Sequence, residues 1–308
     1  AYAVMVANGS LANQLVFELW KIKHPGARPL VFVPAVTWIS SITPALMAGM
    51  DIEFCDINTT DFAFDYDRLE EQVRAAHRRG VEDIIIWPTA LIGFAPDMGR
   101  LHGIADRYGA DLFLDSCENT FSEVPVENCY RTDTGARVHL PQSILASASI
   151  VTTSCYLSHQ ICSVEGGFVF FRDKDDYDQA RMFRNHGMVR SLPKSHALRL
   201  AIEANNPEVD PQFLFALPGT NFRPSDVHAS FGLRDCRRAE FARAHRVEIY
   251  RQFHEQLDGS LYYLPPLTDT HVGFCLPIFT RKGNLGQVKK VLGGMGVEVR
   301  PIIGANLL

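Results

Sequence analysis

The sequence lacks an apolar run long enough to cross a membrane, because its longest apolar runs have the length of a β-strand, far below the roughly 20 residues of a membrane span. It also lacks the basic and apolar segments that open a secretory signal. Its net charge is only −5, with acids and bases interspersed and no basic stripe for nucleic acid. These absences predict a cytoplasmic protein that binds neither membrane nor nucleic acid.

Cysteines at metal-ligand spacing are also absent. The chain has seven cysteines, an odd number, and no CxxC pair. This pattern argues against a disulfide framework and against a structural zinc site, and it favours reduced thiols. The cysteines are Cys55, Cys117, Cys129, Cys155, Cys162, Cys236 and Cys275.

The chain does have the length and composition of a two-domain globular protein. Its 308 residues are 46% hydrophobic and 21% charged. We predict a large α/β domain over residues 1–222 and a smaller α+β domain over residues 223–308. The chain opens on a strand and stops without a terminal helix, so we expect further segments at both ends.

Strand-like apolar runs alternate with amphipathic helix-like runs through the first part of the chain. Near-continuous apolar strands separated by helices indicate a three-layer fold with a mainly parallel sheet. Residues 191–218 break this rhythm and are predicted to be irregular, and a long helical stretch over 225–257 follows. The predicted strands are 3–7, 30–33, 51–56, 84–87, 112–115, 150–153, 168–171, 274–279 and 297–301. The predicted helices are 11–23, 39–48, 67–78, 98–108, 174–186 and 286–292.

The first candidate site is the turn Gly9-Ser10-Leu11, which follows a strand and opens a helix. Free backbone N–H groups and the helix dipole bind phosphate at such a place, and glycine permits close approach. The structural alternative is that Ser10 only caps the helix.

Three further candidates lie at or beyond strand ends, where open parallel sheets bind their ligands. Asp115 ends an apolar strand and can hold a pyridinium N–H, or it can cap a following helix. Glu118 can reach the same site or complete a capping box with Asp115. Trp38 can stack on a planar ring or belong to the core.

The remaining candidates lie in two loops. Ser154 and His159 are followed by Glu165-Gly166-Gly167, whose glycines permit an unusual turn. A lone histidine is more often structural than catalytic. Asn221 precedes the long helical stretch, and an ordinary turn into that helix explains it equally well.

Together and in this order, these segments resemble the nucleotide-sugar aminotransferase family, which has fold type I of the pyridoxal-phosphate (PLP) enzymes. The resemblance extends over nearly the whole chain. Its other supporting segments are residues 33–38 (VPAVTW), 48–50 (AGM), 55–57 (CDI), 93–98 (GFAPDM), 184–187 (RNHG) and 221–223 (NFR).

The resemblance implies a role for each candidate residue. Gly9, Ser10 and Leu11 form the phosphate-binding turn and Ser154 is a second phosphate ligand. Trp38 stacks on the cofactor ring, Asp115 holds its ring nitrogen and Glu118 lies near its hydroxyl. Asn221 contacts phosphate from the other subunit, which implies a homodimer with a shared active site.

His159 stands where this family has its covalent lysine, six residues before Glu165. An imidazole moves protons but forms no such bond, so PLP, or its amine form pyridoxamine phosphate (PMP), is expected to bind noncovalently. This substitution and the ending at residues 300–307 resemble the GDP-4-keto-6-deoxymannose 3-dehydratase subgroup, whose deoxysugars serve lipopolysaccharide O-antigen synthesis. Val164 departs from the family, which has glycine there.

The resemblance therefore implies a 3-dehydratase acting on a nucleotide-linked 4-keto-6-deoxy sugar, with His159 as general base and glutamate restoring PMP. No metal is expected, because the cysteines after Cys162 are too few for the iron–sulfur cluster of a sister enzyme. Two alternatives stay open, namely an aminotransferase that uses a different lysine and a catalytically inactive binder of PLP or sugar nucleotides.

Overall fold

The first part of the chain forms nine strands, and the computed structural model describes residues 2–124, 142–266, 268 and 271–302. Two of these strands, β6 and β7, pair only with each other, and the other seven form one sheet. The strands are β1 (Tyr2–Val6), β2 (Leu30–Pro34), β3 (Asp51–Cys55), β4 (Ile84–Ile86), β5 (Asp111–Asp115), β6 (Glu123–Val124), β7 (Gln142–Ser143), β8 (Ile150–Ser154) and β9 (Gly167–Phe171).

The seven-stranded sheet has the order β1-β9-β8-β5-β4-β2-β3. Its strands run in one direction except β9, which is antiparallel to both β1 and β8. The predicted mainly parallel α/β fold is confirmed. Six strands therefore place their carboxyl ends at the same edge of the sheet.

Four helices connect strands of the sheet and a fifth follows β9, and aspartate or asparagine side chains cap four of the five. Asn8, Asp65, Asp97 and Asp173 each accept a hydrogen bond from a backbone N–H in the first turn. The predicted helix over 39–48 is shorter than expected, because a 3-10 turn precedes it. The helices are α1 (Gly9–Lys23), α2 (Thr43–Met47), α3 (Tyr66–Arg78), α4 (Met98–Tyr108) and α5 (Lys174–Phe183).

The sheet is covered on both faces by apolar layers. One layer packs α1, α2 and α5 against the sheet around Phe17 and Trp87, and the other packs α3 and α4 around Leu69 and Leu101. Burial on both faces explains why strands such as β4 are wholly apolar.

The remaining elements form the last part of the chain. They are α6 (Ala197–Asn205), α7 (Asp226–Cys236), α8 (Ala239–Gln256), β10 (Tyr262–Tyr263), β11 (Phe279–Thr280) and α9 (Leu285–Gly294). Among the described residues, no helix has both the length and the apolar character needed to cross a membrane.

Several predictions for this part were wrong in detail. Residues 191–218 contain α6, which an Arg199–Glu203 ion pair one turn apart supports. The long helix is interrupted at residues 237–238. Residues 274–279 form little strand, because Val272 and Phe274 bond to the loop at Gly93 and Ile92 instead. Residues 297–301 form no strand, and residues 303–307 of the ending lie outside the described residues.

Candidate active site

A cleft of about 510 Å³ lies at the carboxyl edge of the sheet. It is bordered by the segments that follow β1, β2, β4, β5 and β8 and by the turn that leads into β9. Seven of the nine predicted site residues line it, namely Gly9, Ser10, Trp38, Asp115, Glu118, Ser154 and His159.

The turn between β1 and α1 presents a helix N-terminus to this cleft. Asn8, not Ser10, caps the helix, since its side chain accepts from the Leu11 N–H at 2.9 Å. A Cβ at Gly9 would lie only 2.7 Å from the Ser154 Cβ, so only glycine fits this approach of the turn to β8. The Gly9 and Ser10 N–H groups belong to the helix's unbonded first turn and suit an anion.

Asp115 is buried at the end of β5 and held in one orientation. Its Oδ2 accepts hydrogen bonds from Asn13 Nδ2 at 2.8 Å and Ser41 Oγ at 2.6 Å, and its Oδ1 accepts from Cys117 N at 3.0 Å. Asn13 is itself fully buried and accepts from Thr152 Oγ1. No helix follows Asp115, so the capping alternative is wrong. A fixed, acceptor-only carboxylate in a cleft suits a cationic N–H partner.

His159 lies in the loop between β8 and β9, and the turn that follows β5 orients its ring. Its Nδ1 lies 2.6 Å from the carbonyl oxygen of Cys117. Because a carbonyl only accepts, Nδ1 carries the proton and Nε2 keeps a free lone pair. The edge-on ring of Phe274 packs at 5.0 Å between centroids. Burial lowers the pKa of His159, so its imidazole is neutral at pH 7.

Glu118 is the second titratable group of the cleft and caps no helix. It is buried, and its Oε2 accepts the N–H of Ile92 at 2.8 Å. Ile92 has φ +48°, a left-handed conformation that is uncommon outside glycine. Burial raises the pKa of Glu118 to about 7, so it exchanges a proton near neutrality.

Trp38 lies at the mouth of the cleft rather than in the core. Its side chain is 51% exposed, which leaves a ring face available to a ligand. A half-exposed tryptophan beside a polar cleft indicates a stacking surface.

The loop that carries His159 contains a residue in an unfavourable conformation. Val164 has φ +69°, in the left-handed region. A β-branched residue is strained there, whereas glycine adopts this conformation readily.

Two predicted residues are not among those that line the cleft. Leu11 packs against the core beneath α1, and Asn8 already accepts its N–H. Asn221 is exposed, and its Oδ1 accepts from Arg223 Nε at 3.0 Å. Their cofactor contacts remain predictions.

Sequence reasoning missed four residues that build the cleft. Asn13 and Ser41 orient Asp115, Phe274 packs on His159, and Arg300 is a cation of the cleft wall. Of these four residues, only Asn13 could have been found from the sequence, because it is a polar amide on the apolar face of α1. The other three come from distant segments that the fold brings together.

Lysine is missing from the cleft. The chain's seven lysines all lie in the described part, and none lines the cleft. They are Lys21, Lys23, Lys174, Lys194, Lys282, Lys289 and Lys290. Within the part of the chain that the structure describes, the only imidazole that lines the cleft is that of His159.

Comparisons of the sequence and of the structure with known proteins point to the same family. The model of the DegT/DnrJ/EryC1/StrS aminotransferase family matches residues 1–305. The GDP-4-keto-6-deoxy-D-mannose 3-dehydratase of Yersinia pseudotuberculosis is 27% identical over all of this chain and 74% of its own length.

Solved structures show the same fold. The Escherichia coli GDP-4-keto-6-deoxy-D-mannose-3-dehydratase with bound hydrated PLP superposes with a TM-score of 0.80 at 24% identity, over 98% of this chain and 74% of that one. A structure of that dehydratase with a trapped PLP-glutamate geminal diamine gives a TM-score of 0.79 at 24% identity, over the same shares of the two chains.

Proposed function

Because the chain belongs to the DegT/DnrJ/EryC1/StrS aminotransferase family, we propose that it is a PLP/PMP-dependent 3-dehydratase acting on a nucleotide-linked 4-keto-6-deoxy sugar. The observation that carries this proposal is the position of His159 in the cleft, where no lysine lies among the lining residues. An aminotransferase of this family needs a lysine that can bond to the cofactor, and the cleft offers none.

The cleft residues fit the cofactor. The N-terminus of α1 at Gly9 and Ser10, together with the Ser154 hydroxyl, would hold the phosphate. Trp38 would stack on the ring, and Asp115 would accept a hydrogen bond from the N–H of the protonated ring nitrogen. When bound, PMP supplies the electron sink that allows a hydroxyl to leave beside a keto carbon.

His159 performs the proton transfer in this proposal. Its Nδ1–H is committed to the Cys117 carbonyl, so Nε2 is the atom that takes up and returns a proton. Since burial keeps the ring neutral at pH 7, the base form is present under ordinary conditions. Activity should fall when the pH drops through the pKa of His159, which lies below the usual 6.5.

Arg300 supports an anionic substrate. Among the described residues that line the cleft it is the only lysine or arginine, and its charge acts on both His159 and Glu118. A sugar linked to a nucleotide diphosphate and glutamate as amino donor are both anions. We therefore place Arg300 among the residues that bind them.

A homodimer completes the proposed site. Asn221 is exposed and does not line the cleft of its own chain. In a dimer it would be free to reach the phosphate of the partner's cofactor. We retain the division into a cofactor domain, residues 1–222, and a smaller domain, residues 223–308, as part of this proposal.

Borohydride reduction tests the noncovalent cofactor. The protein is incubated with PLP, reduced, digested and analysed by mass spectrometry for a lysine that carries the cofactor. We expect none. A modified lysine found in stoichiometric amount would refute the proposal and favour an aminotransferase.

Ammonia release tests the reaction itself. The protein with PLP, glutamate and a 4-keto-6-deoxy sugar nucleotide should release ammonia and a 3-deoxy sugar, and His159→Asn should abolish both while PLP still binds. His77→Asn, on the exposed side of α3, is the matched control and should be fully active. Cofactor binding without turnover in the parent protein would indicate an inactive binder.

A further inference from the structure

Gln160 follows the proposed base in the chain, and its side-chain amide is buried with both ends bonded. Its Oε1 accepts the backbone N–H of Thr120 at 2.6 Å, and its Nε2 donates to the carbonyl of Val272 at 2.8 Å. Only 4% of the residue is exposed, and it does not line the cleft. Buried amides that satisfy both ends fix the segments they join.

The two segments that Gln160 joins are the two supports of the His159 ring. Thr120 closes the turn that carries the Cys117 carbonyl, which accepts from His159 Nδ1. Val272 leads to Phe274, whose ring meets the imidazole edge-on. The amide therefore connects one support to the other.

Besides the Gln160 bond, four hydrogen bonds within the described part of the chain hold the segment from Val272 to Phe274. The Val272 N–H reaches Gly93 O at 3.3 Å and the Phe274 N–H reaches Ile92 O at 3.4 Å, which are both long hydrogen bonds. Arg246 Nη1 donates to Gly273 O at 3.0 Å and to Phe274 O at 3.2 Å. The Gln160 bond to Val272, at 2.8 Å, is the shortest of the five. The close approach of Val272 to residue 93 requires glycine there, because a Cβ at that position would lie 2.3 Å from the Val272 oxygen.

We propose that Gln160 is a positioning residue for His159, which holds the Cys117 carbonyl and Phe274 against the imidazole so that Nε2 is presented to the cleft and water is kept from the ring. The kinetic part of this inference rests on the proposed function. The structural part does not, since it concerns the environment of His159 in the protein alone.

Loss of the two Gln160 hydrogen bonds should change the pKa of His159, which a general loss of stability would not do. If Phe274 moves away, water reaches the imidazole and the desolvation that lowers the pKa of His159 weakens. The charges that act on the ring, the Asp115 carboxylate and the Arg300 guanidinium, stay in place, and so do the carboxyls of Glu118 and Glu165 in the same cleft. The pKa of His159 should therefore rise toward the ordinary value of imidazole.

The test compares two glutamine substitutions of the same kind. Gln160→Met keeps the size of the side chain and removes both hydrogen bonds. Gln72→Met is the matched control, because Gln72 Nε2 also joins two groups, Glu53 Oε1 and Phe54 O, far from the cleft. Gln160→Leu also removes both hydrogen bonds and, like Gln160→Met, adds no charge beside His159, and it decides the matter if Gln160→Met does not fold.

The first measurement is the NMR titration of the imidazole Cε1–H signals in the protein without substrate. His159→Asn identifies the signal of His159 by its disappearance. We expect the His159 midpoint to move upward in Gln160→Met and in Gln160→Leu and to stay in place in Gln72→Met. A midpoint unchanged in the folded Gln160 variants would overturn the proposal.

The second measurement is turnover. Gln160→Met should lower kcat roughly 10- to 100-fold with little change in KM, and should move the acidic limb of the pH profile upward. An equal loss in Gln72→Met would assign the effect to stability and overturn the proposal. If the parent protein shows no turnover but the NMR midpoint moves as expected, the proposed function fails and the positioning role stands.

Discussion

Replacing Asn13 tests how firmly the fold holds Asp115. Asn13 lies fully buried on α1, where its amide donates to Asp115 Oδ2 at 2.8 Å and to Ser40 O at 3.0 Å and accepts from Thr152 Oγ1 at 2.6 Å. Asn13→Ala leaves these three partners without their bond to the amide. It also removes one of the two donors that hold Oδ2.

The magnitude follows from the number and kind of the lost bonds. A hydrogen bond to a charged group contributes about 1.5–3 kcal/mol and a neutral one about 1 kcal/mol. Alanine recovers about 0.5 kcal/mol through its higher helix propensity. The free energy of unfolding should therefore fall by about 3–4.5 kcal/mol, and PLP should bind more weakly because Asp115 can turn away from the ring nitrogen.

Urea unfolding and a fluorescence titration with PLP measure the two effects. Gln14→Ala is the control, since Gln14 is the next residue of the same helix and makes only a 3.4 Å bond to Glu18. It should change the stability by less than about 0.5 kcal/mol and leave PLP affinity unchanged. Equal stability and equal affinity in the two variants would show that the Asn13 network does not support Asp115.

Three other expectations concern single residues. The pKa of Glu118 is raised from 4.5 to about 7, so its proton stabilises the folded state fully below pH 4.5, and this stability is lost as the pH rises to about 7. Glu118→Gln should remove that loss in unfolding experiments between pH 5 and 8, and an unchanged pH dependence would contradict the assignment. Val164→Gly should stabilise the protein by about 0.5–1 kcal/mol in urea, because relief of the left-handed strain exceeds the entropy cost of glycine, and destabilisation would refute the strain. Arg300→Gln should raise the KM for the sugar nucleotide roughly tenfold with less effect on kcat, as expected for a charged hydrogen bond, whereas an unchanged KM would remove Arg300 from substrate binding.

The sheet could be predicted from the sequence because its strands are marked locally. Each buried strand is a short apolar run next to a helix, and residues such as Asp65 and Asp97 start those helices by hydrogen bonds to the N–H groups of the first turn. The long helix after residue 225 could not be divided in this way. Its break at residues 237–238 has no glycine or proline to mark it.

The candidate site was predicted in part for a similar reason. Asp115, Trp38 and Ser154 lie at or shortly beyond strand ends, and a parallel sheet gathers such positions at one edge whatever the loops do. Leu11 was included because it belongs to the same turn, but Asn8 accepts its N–H. Whether the Leu11 N–H binds a ligand or is capped by Asn8 depends on the side-chain rotamer of Asn8, which a sequence pattern does not specify.

By itself, the sequence determined the order of the strands of the main sheet and of the helices between them, the family, and the presence of a histidine at position 159. These features could be determined because hydrophobic periodicity, helix capping and side-chain identity depend only on residues that are close together in the chain. Tertiary structure alone decided that His159 carries its proton on Nδ1, that Asn13 and Ser41 fix Asp115, and that Gln160 joins the two supports of the imidazole. Those contacts join residues up to 112 positions apart, and only the packing of the folded chain brings such residues within hydrogen-bonding distance.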